Sequence, residues 1–211
     1  MNKTRAHTRY RNKAGDIVPG VTTVINLLAK PQLIIWANRL GLQGIDSTKY
    51  RDEKGEIGSL AHMMIIAELK GEKVDTSDYS RNQIDQAENS FLSWLEWHKG
   101  KELKPILIES PLVSETYNYG GTPDFYGDIN NELVLGDYKT GGVWKEAYIQ
   151  TCAYVHLLLE NGHQCPVKII ILGIPRTPDE KFQEVIYTSF ETGWELFKHL
   201  KITYELLKQI K

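Results

Sequence analysis

The stretch GTPDFYGDINNELVLGDYKTG at 121–141 constrains the fold of this chain more than any other segment. At its centre, Asn130-Asn131 is a dipeptide that tolerates positive φ in a tight hairpin, so 122–129 and 133–139 are predicted to be paired strands. The second strand begins with three consecutive apolar residues, Leu133 to Leu135, which is typical of a strand covered on both faces. The segment therefore predicts a buried strand inside a layered domain.

Charged residues follow this apolar run directly. Asp137 and Lys139 are two residues apart and therefore share one face of the strand, whereas Tyr138 points into the core and leaves its backbone carbonyl free as an oxygen ligand. Pairing across the turn places Asp124 opposite position 137, with backbones about 5 Å apart. Two carboxylates at that separation repel each other unless a positive group lies between them. Lysine alone can supply that charge, and a Mg2+-type cation supplies it better. The alternative is a plain surface hairpin with a Lys–Asp pair, and Asp128 near the turn fits that description.

Two further positions favour a site. Gln150 and Tyr154 stack on one face of an otherwise apolar helix predicted at 144–160. A buried glutamine needs partners, which a metal-bound water, a phosphate or the backbone can provide. His62 follows Gly58 in the first turns of a helix predicted at 56–70. It is either a metal ligand or a half-exposed structural histidine.

The rest of the chain predicts an α/β domain whose sheet is entered late, behind a helical N-terminal half. Residues 1–211 are expected to form one domain, with a helical part at about 20–100, a sheet core at about 104–190 and a closing helix at 191–210. The expected details are a hairpin at 8–20; a short helix capped by Thr22 or Thr23 and ended by Pro31; a helix at 32–41 stopped by Gly41; a helical or looped stretch at 45–55; a helix starting at Ser77 or Ser80 and ending before Gly100; and strands at 105–110, 167–174 and 182–189.

Composition narrows the functional classes. The formal net charge of −2 argues against a protein that coats DNA passively, but not against an enzyme whose carboxylates hold metal ions. Cys152 and Cys165 are too few for a disulfide framework or an iron–sulfur cluster, and both are expected to be small core residues. Residues 1–15 do not resemble a signal peptide, and no apolar run approaches the roughly 18 residues that cross a bilayer. A cytoplasmic protein without a membrane partner is expected.

Four motifs in order complete the pattern: G-S-x-x-H at 58–62, P-D at 123–124, D-x-K at 137–139 and Q-x-x-x-Y at 150–154. Together they resemble the PD-(D/E)XK nucleases of the RecB-like branch. The stretch VTTVINLLAKPQLIIWANRLG is similar to the helical N-terminal half of phage exonucleases and of the mitochondrial genome maintenance exonuclease. The resemblance covers roughly 18–160. It implies a restriction-endonuclease-like central mixed sheet flanked by helices.

The resemblance also implies roles for the site residues. His62, Asp124, Asp137 and the Tyr138 carbonyl would bind Mg2+ or Mn2+, and Lys139 would orient or activate the attacking water. The remaining implied roles are support of the site and binding of a DNA phosphate for Gln150 and Tyr154, and a second-shell or second-metal role for Glu109.

The implied activity is that of a metal-dependent deoxyribonuclease, most simply an exonuclease acting on single strands or DNA ends in phage-type or recombination and repair processing. A structure-directed endonuclease and a non-catalytic DNA-binding relative are the alternatives. DNA is the implied partner, association with other DNA-processing proteins is left open, and a phage-encoded protein would act in the host cytoplasm. Helices at 22–43 and 56–70 are expected to arch over the site and to contact phosphates or bases through Thr22, Thr23, Lys30, Trp36 and Arg39. Core packing for Trp36 and a solvated face for the charged residues are the alternatives.

Overall fold

The computed structural model describes residues 9–210. The bounds of its elements, in chain order, are β1 (Tyr10–Arg11), β2 (Ile17–Val18), α1 (Val21–Ile25), α2 (Pro31–Leu42), α3 (Ser47–Lys70), α4 (Arg81–His98), β3 (Leu103–Ile108), β4 (Leu112–Ser114), β5 (Tyr119–Gly121), β6 (Phe125–Ile129), β7 (Glu132–Thr140), α5 (Lys145–Glu160), β8 (Lys168–Ile174), β9 (Gln183–Tyr187) and α6 (Glu191–Gln209).

A five-stranded sheet with the order β3-β6-β7-β8-β9 forms the centre. The β7–β8 pair is parallel and the other pairs are antiparallel, so the sheet is mixed. β6 and β7 are joined through Asn130 and Asn131, whose φ angles of 53° and 66° are both positive, as the sequence predicts. The register pairs Phe125 with Gly136. One residue further along, this register sets position 124 beside position 137, which confirms the predicted convergence.

Helices cover both faces of the sheet. On one face, α5 and α6 pack against apolar strand residues that include Tyr126, Leu135 and Ile171. On the other face, Ile65 of α3 and Trp94 of α4 pack against Val134, Tyr138 and Ile170. Because β7 is apolar towards both layers, it forms the buried centre of the domain. The predicted mixed sheet flanked by helices, with a mostly helical N-terminal half, is confirmed.

Several local predictions need correction. Thr22 and Thr23 are exposed residues inside α1, whose N-cap is Gly20, and so they do not cap it. Pro31 begins α2 rather than ending α1, because its fixed φ and missing N–H suit the first helical position. Gly41 lies inside α2, and Gly44 supplies the left-handed turn after it (φ +73°).

The helix that carries His62 starts earlier than predicted. The Asp46 side chain accepts hydrogen bonds from the N–H groups of Thr48 and Lys49, and this cap starts α3 at Ser47. His62 is therefore in the second half of α3, not in its first turns. Ser80, one of the two predicted starts, caps α4 through a capping box with Gln83.

The remaining outcomes concern the cysteines and the chain start. Cys152 is buried as predicted, whereas Cys165 is exposed, so its assignment to the core was wrong. The predicted N-terminal hairpin is present as β1 and β2, with Gly15 (φ +90°) in its turn. Residues 1–8, on which the signal-peptide prediction partly depends, lie outside the described range. No helix within 9–210 combines the length and apolar content that spanning a bilayer requires.

Candidate functional site

Asp124 is held in place by backbone groups of two neighbouring strands. Its Oδ2 accepts a hydrogen bond from the Tyr138 N–H at 2.8 Å, and its carbonyl accepts one from the Glu109 N–H at 3.2 Å. The carboxylate is therefore fixed between the end of β3 and the end of β7. Its second oxygen, Oδ1, lies 3.8 Å from His62 Nδ1.

Glu109 completes a cluster with these two residues. His62, Glu109 and Asp124 each offer one ligand atom, and the three atoms lie within 4.8 Å of one another. Sequence reasoning gave Glu109 only an accessory role, because its position depends on an irregularity in the β3–β6 pair. The register shifts by one residue between Pro105 and Leu107, and the shift brings position 109 level with Asp124.

The shift has a visible cause in the sequence. A Cβ at Gly127 would lie 2.3 Å from the Lys104 carbonyl oxygen, so only glycine lets the two strands approach this closely at the bulge. Glu109 itself has φ +44°, an uncommon backbone conformation for a residue other than glycine. An acidic residue at the end of a strand, opposite P-D, was the available signal for it.

α3 covers the sheet face opposite α5 and α6, and it brings His62 to the cluster from there. The imidazole lies edge-on to the Tyr138 ring, with centroids 6.2 Å apart, and the Tyr138 ring also lies edge-on to Trp94. The Tyr138 side chain is thus in the core, as predicted. The role of its carbonyl as a metal ligand stays a prediction.

Asp137 is paired with Lys139 and is not a member of the three-residue cluster. Lys139 Nζ donates a hydrogen bond to Asp137 Oδ1 at 2.9 Å and lies 2.7 Å from Oδ2. The Asp137 side chain is only 1% exposed, and that of Lys139 is 27% exposed. The contact at Oδ2 lacks hydrogen-bond geometry, so within residues 9–210 this buried oxygen has an ionic neighbour but no hydrogen bond.

Burial and charge shift the pKa of both groups. Burial raises the pKa of Asp137 to about 6, and the negative charge of Asp124 adds to this effect, while Lys139 and His62 oppose it. Burial alone would lower the pKa of Lys139, but the carboxylates of Asp137 and Asp124 outweigh it, and the pKa of Lys139 is raised. Lys139 is therefore a cation at neutral pH. The negative charge of the carboxylates in this region therefore exceeds the positive charge that the neighbouring side chains provide.

Gln150 and Tyr154 form a hydrogen-bonded pair on α5. Gln150 Nε2 donates to the Tyr154 hydroxyl at 2.7 Å, and burial raises the pKa of Tyr154 well above its usual value. The Tyr154 ring lies so close to Gly121 that a Cβ there would be 2.5 Å from it. α5 is thus packed directly against the segment that leads to Asp124.

A second contact holds the same segment from the N-terminal side. The Tyr10 ring fills the space over Gly120, where a Cβ would overlap the ring carbons. Its hydroxyl forms a hydrogen bond of 2.9 Å with Thr122 Oγ1, two residues before Asp124. β5 carries Gly120 and Gly121, so its glycines admit an aromatic ring from each side.

The residues predicted to contact substrate are at the surface. Thr22, Thr23 and Arg39 are exposed, and Trp36 is half-buried in an edge contact with Tyr50, with centroids 6.1 Å apart. Lys30 lies 3.4 Å from Asn26 Oδ1. Within residues 9–210, none of the five has a hydrogen bond, ion pair or ring contact with His62 or Asp124. Their role stays a prediction.

The geometry of the cluster fits one hard divalent cation. Octahedral ligands at about 2.1 Å from Mg2+ are about 3.0 Å apart when adjacent and about 4.2 Å apart when opposite. The 3.8 Å between His62 Nδ1 and Asp124 Oδ1 lies inside that range, and the 4.8 Å limit of the cluster is slightly above it. Asp137 lies outside this three-residue set, and its buried Oδ2 is in ionic contact with Lys139. An imidazole among carboxylates suits Mn2+ as well as Mg2+.

Comparisons with known proteins give weak likenesses. No protein-family model matches the sequence, and no curated protein has significant sequence similarity to it. A candidate exonuclease from Eubacterium rectale superposes with a TM-score of 0.46 over 70% of this chain and 68% of its own, at 9% identity. The alkaline exonuclease LHK-Exo from Laribacter hongkongensis, solved with dAMP, superposes with a TM-score of 0.34 over 72% of this chain and 82% of its own, at 15% identity. TM-scores below 0.5 carry no functional argument, so the function has to be inferred from the site.

Proposed function

We propose that the protein is a metal-dependent nuclease that hydrolyses phosphodiester bonds in DNA. The observation that carries the proposal is the position of His62, Glu109 and Asp124, whose ligand atoms lie within 4.8 Å of one another beside the Asp137–Lys139 pair. The carboxylates of Glu109 and Asp124, which converge from separate segments, repel each other without a cation, and His62 offers an imidazole nitrogen as a further ligand atom. The same groups beside a lysine make up the set that phosphodiester hydrolysis requires.

Each residue of the site would have its own role in the proposed reaction. His62, Glu109 and Asp124 would hold one divalent ion, and Asp137 would present Oδ2, which lies 2.7 Å from Lys139 Nζ, towards the same ion. When bound, that ion lowers the pKa of a coordinated water and polarises the phosphate. Lys139, fixed by Asp137, would direct its ammonium at the developing negative charge on the phosphate and at the attacking water. Gln150, oriented by Tyr154, would donate its amide to a phosphate oxygen.

We infer an exonuclease that acts on single strands or DNA ends, in phage-type or recombination and repair processing in the cytoplasm. The support is the N-terminal helical half, in which α2 packs against α3, the helix that carries His62. Trp36 and Arg39 of α2 would contact the strand from this side, and Thr22 and Thr23 of α1 from the side of α5 and α6. The motif resemblance points the same way.

Labelled linear and circular strands test the proposal. The protein is incubated with 5′- and 3′-labelled single and double strands and with a single-stranded circle, in Mg2+, in Mn2+ and in chelator. Release of mononucleotides or short products from linear strands, intact circles and no reaction in chelator are expected. Rapid cutting of the circle would contradict the exonuclease proposal and favour the endonuclease alternative. The DNA-binding alternative predicts a different result. The protein would bind DNA without cutting it, and it would show no Mn2+ binding that Asp137→Ala abolishes.

A further inference from the structure

Trp144 differs from the other tryptophans of the chain. Trp94, Trp97 and Trp194 are buried, and Trp36 contacts Tyr50. Trp144 is 72% exposed and, among residues 9–210, contacts no other aromatic ring. Full burial of a large apolar side chain stabilises a fold by about 1.5–3 kcal/mol, and this indole contributes little of that. Its indole face is therefore open to solvent and accessible to a ligand.

The loop that carries this indole is held at three points. The Gly141 N–H donates to the Ile174 carbonyl at 3.2 Å, and the Val143 N–H donates to Gln183 Oε1 at 3.1 Å. The Trp144 carbonyl accepts from the Ala147 N–H at 3.0 Å, which starts α5. The backbone thus presents the indole to solvent from a fixed position of the main chain, which lowers the cost of ordering this loop when a ligand binds.

Arg176 explains why the loop keeps this path. Gly141 has φ +95°, and a Cβ there would lie 2.5 Å from Arg176 Nη2, so the guanidinium occupies the space a side chain would need. Glu180 holds that guanidinium with contacts of 2.6 to 3.2 Å. The loop between β7 and α5 is therefore braced from the β8 side.

The position of Trp144 relates it to the candidate site. It comes five residues after Lys139, so the two Cα atoms are at most about 18 Å apart. α5, which Trp144 caps, also carries Gln150 and Tyr154. Next to the indole, Lys145 is exposed and has no ion pair within the described range. An exposed aromatic face beside an unpaired cation is the arrangement that single-stranded nucleic acid recognises through base stacking and phosphate attraction.

We propose that Trp144 is a base-stacking platform that binds a nucleobase of the substrate strand near the reacting phosphate. The inference rests on the proposed nuclease function. Stacking is tolerant of sequence, because every base has a π face, so the platform would hold any strand in register while Lys145 attracts a neighbouring phosphate. Trp144 is in this sense a substrate-binding residue, separate from the metal-holding cluster.

Strand binding with and without bases tests the platform. The affinity of wild-type, Trp144→Ala and Trp144→Phe for a labelled oligothymidylate and for an abasic strand of equal length is measured in Ca2+, with strand integrity checked on a gel. Trp144→Ala is expected to weaken binding of the base-bearing strand by about 5- to 150-fold and to leave the abasic strand unaffected. Trp144→Phe is expected to recover most of the loss. Ile202→Ala, at a 57% exposed apolar position on α6, serves as the matched control and is expected to bind as wild type.

Three outcomes would overturn the inference. In the first, Trp144→Ala and wild type bind the oligothymidylate equally well, and wild type still cuts DNA in Mg2+. This result would refute the stacking role of Trp144 and leave the proposed nuclease function standing. An equal loss on the abasic strand would assign the indole to the backbone or to folding. If wild type neither bound nor cut any strand, the proposed function would fail and the platform with it.

Discussion

Gly58 and Thr140 are in contact where α3 crosses the end of β7: a Cβ on Gly58 would lie 2.6 Å from Thr140 Oγ1. Gly58 is one turn before His62, and Thr140 is the residue after Lys139. The glycine of the G-S-x-x-H motif therefore determines how closely the histidine helix approaches the strand that carries the Asp137–Lys139 pair.

Gly58→Ala is expected to displace α3 and to weaken Mn2+ binding, because His62 would move away from Asp124. Calorimetric titration of Mn2+ measures the effect. Gly55→Ala is the matched control: it lies on the same helix with no atom within 4 Å of the added Cβ, and it should stabilise the protein by about 1 kcal/mol without changing Mn2+ affinity. Thr140→Ala should rescue Gly58→Ala. Unchanged Mn2+ affinity in Gly58→Ala would show that the contact does not position His62.

Lys139→Met should lower kcat by about 10²–10³-fold at saturating Mn2+, since the ammonium acts on the reacting phosphate and not on the ion. The side chain keeps its length, and circular dichroism checks the fold. Single-turnover cleavage of a labelled strand measures the rate. Turnover at the wild-type rate would remove Lys139 from the chemistry.

Glu109→Gln should weaken Mn2+ binding by about 100-fold or more. Loss of a residue that only supports a ligand weakens metal binding by at most about 100-fold. Glu132→Gln is the control, because this exposed carboxylate is at the opposite end of β7, paired with Lys168. A loss of less than about tenfold would return Glu109 to the accessory role that the sequence alone gives it.

Metal binding should depend on pH through Asp137. Because burial raises the pKa of this carboxyl to about 6, it is protonated below that pH and must lose the proton to bind a cation. Mn2+ affinity is expected to fall by about tenfold per pH unit below pH 6 and to level off above it. Asp137→Asn should bind Mn2+ more weakly at pH 8 and lose this part of the pH dependence. An identical pH profile in the variant would contradict the assignment.

The same shift has a consequence for the metal-free protein. The unfolded carboxyl has a pKa of 3.8, so between about pH 4 and 6 the unfolded state releases this proton before the folded state does. The contribution of Asp137 to the free energy of unfolding therefore decreases as pH rises through that window. Denaturant titrations at pH 4, 5, 6 and 7, in chelator, should show this decrease in wild type relative to Asp137→Asn.

Tyr154→Phe and Gln150→Ala should have non-additive effects. If Tyr154 acts by orienting the Gln150 amide, each single variant lowers kcat by about tenfold and the double variant is no worse than Gln150→Ala. Mn2+ affinity should stay unchanged in all three. Additive losses would mean that the two side chains act independently.

The central hairpin is predictable from the sequence because its turn specifies its register. Asn130 and Asn131 accept the positive φ of a two-residue turn, and counting outward from them places Asp124 beside Asp137. The i, i+2 spacing then puts Lys139 next to Asp137. These relationships depend only on local chain geometry.

Other parts depend on contacts that no local pattern encodes. Glu109 reaches Asp124 only through the register shift before Leu107, which requires the glycine at 127. β5 is not recognisable as a strand because Gly120 and Gly121 are normally strand breakers, and its glycines are explained only by the rings of Tyr10 and Tyr154 that pack on them. Membership of the His62–Glu109–Asp124 cluster is thus less predictable from sequence than strand pairing.

The seating of Tyr10 over Gly120 has a consequence for the order of events during synthesis. The ring and its partner Thr122 are separated by 112 positions, so the support behind Asp124 cannot form until more than half of the chain has left the ribosome. The site itself cannot be complete any earlier, because Asp124 and Asp137 follow Thr122 in the chain. The support behind Asp124 and the acidic groups that it aligns therefore become available together, in the second half of the chain.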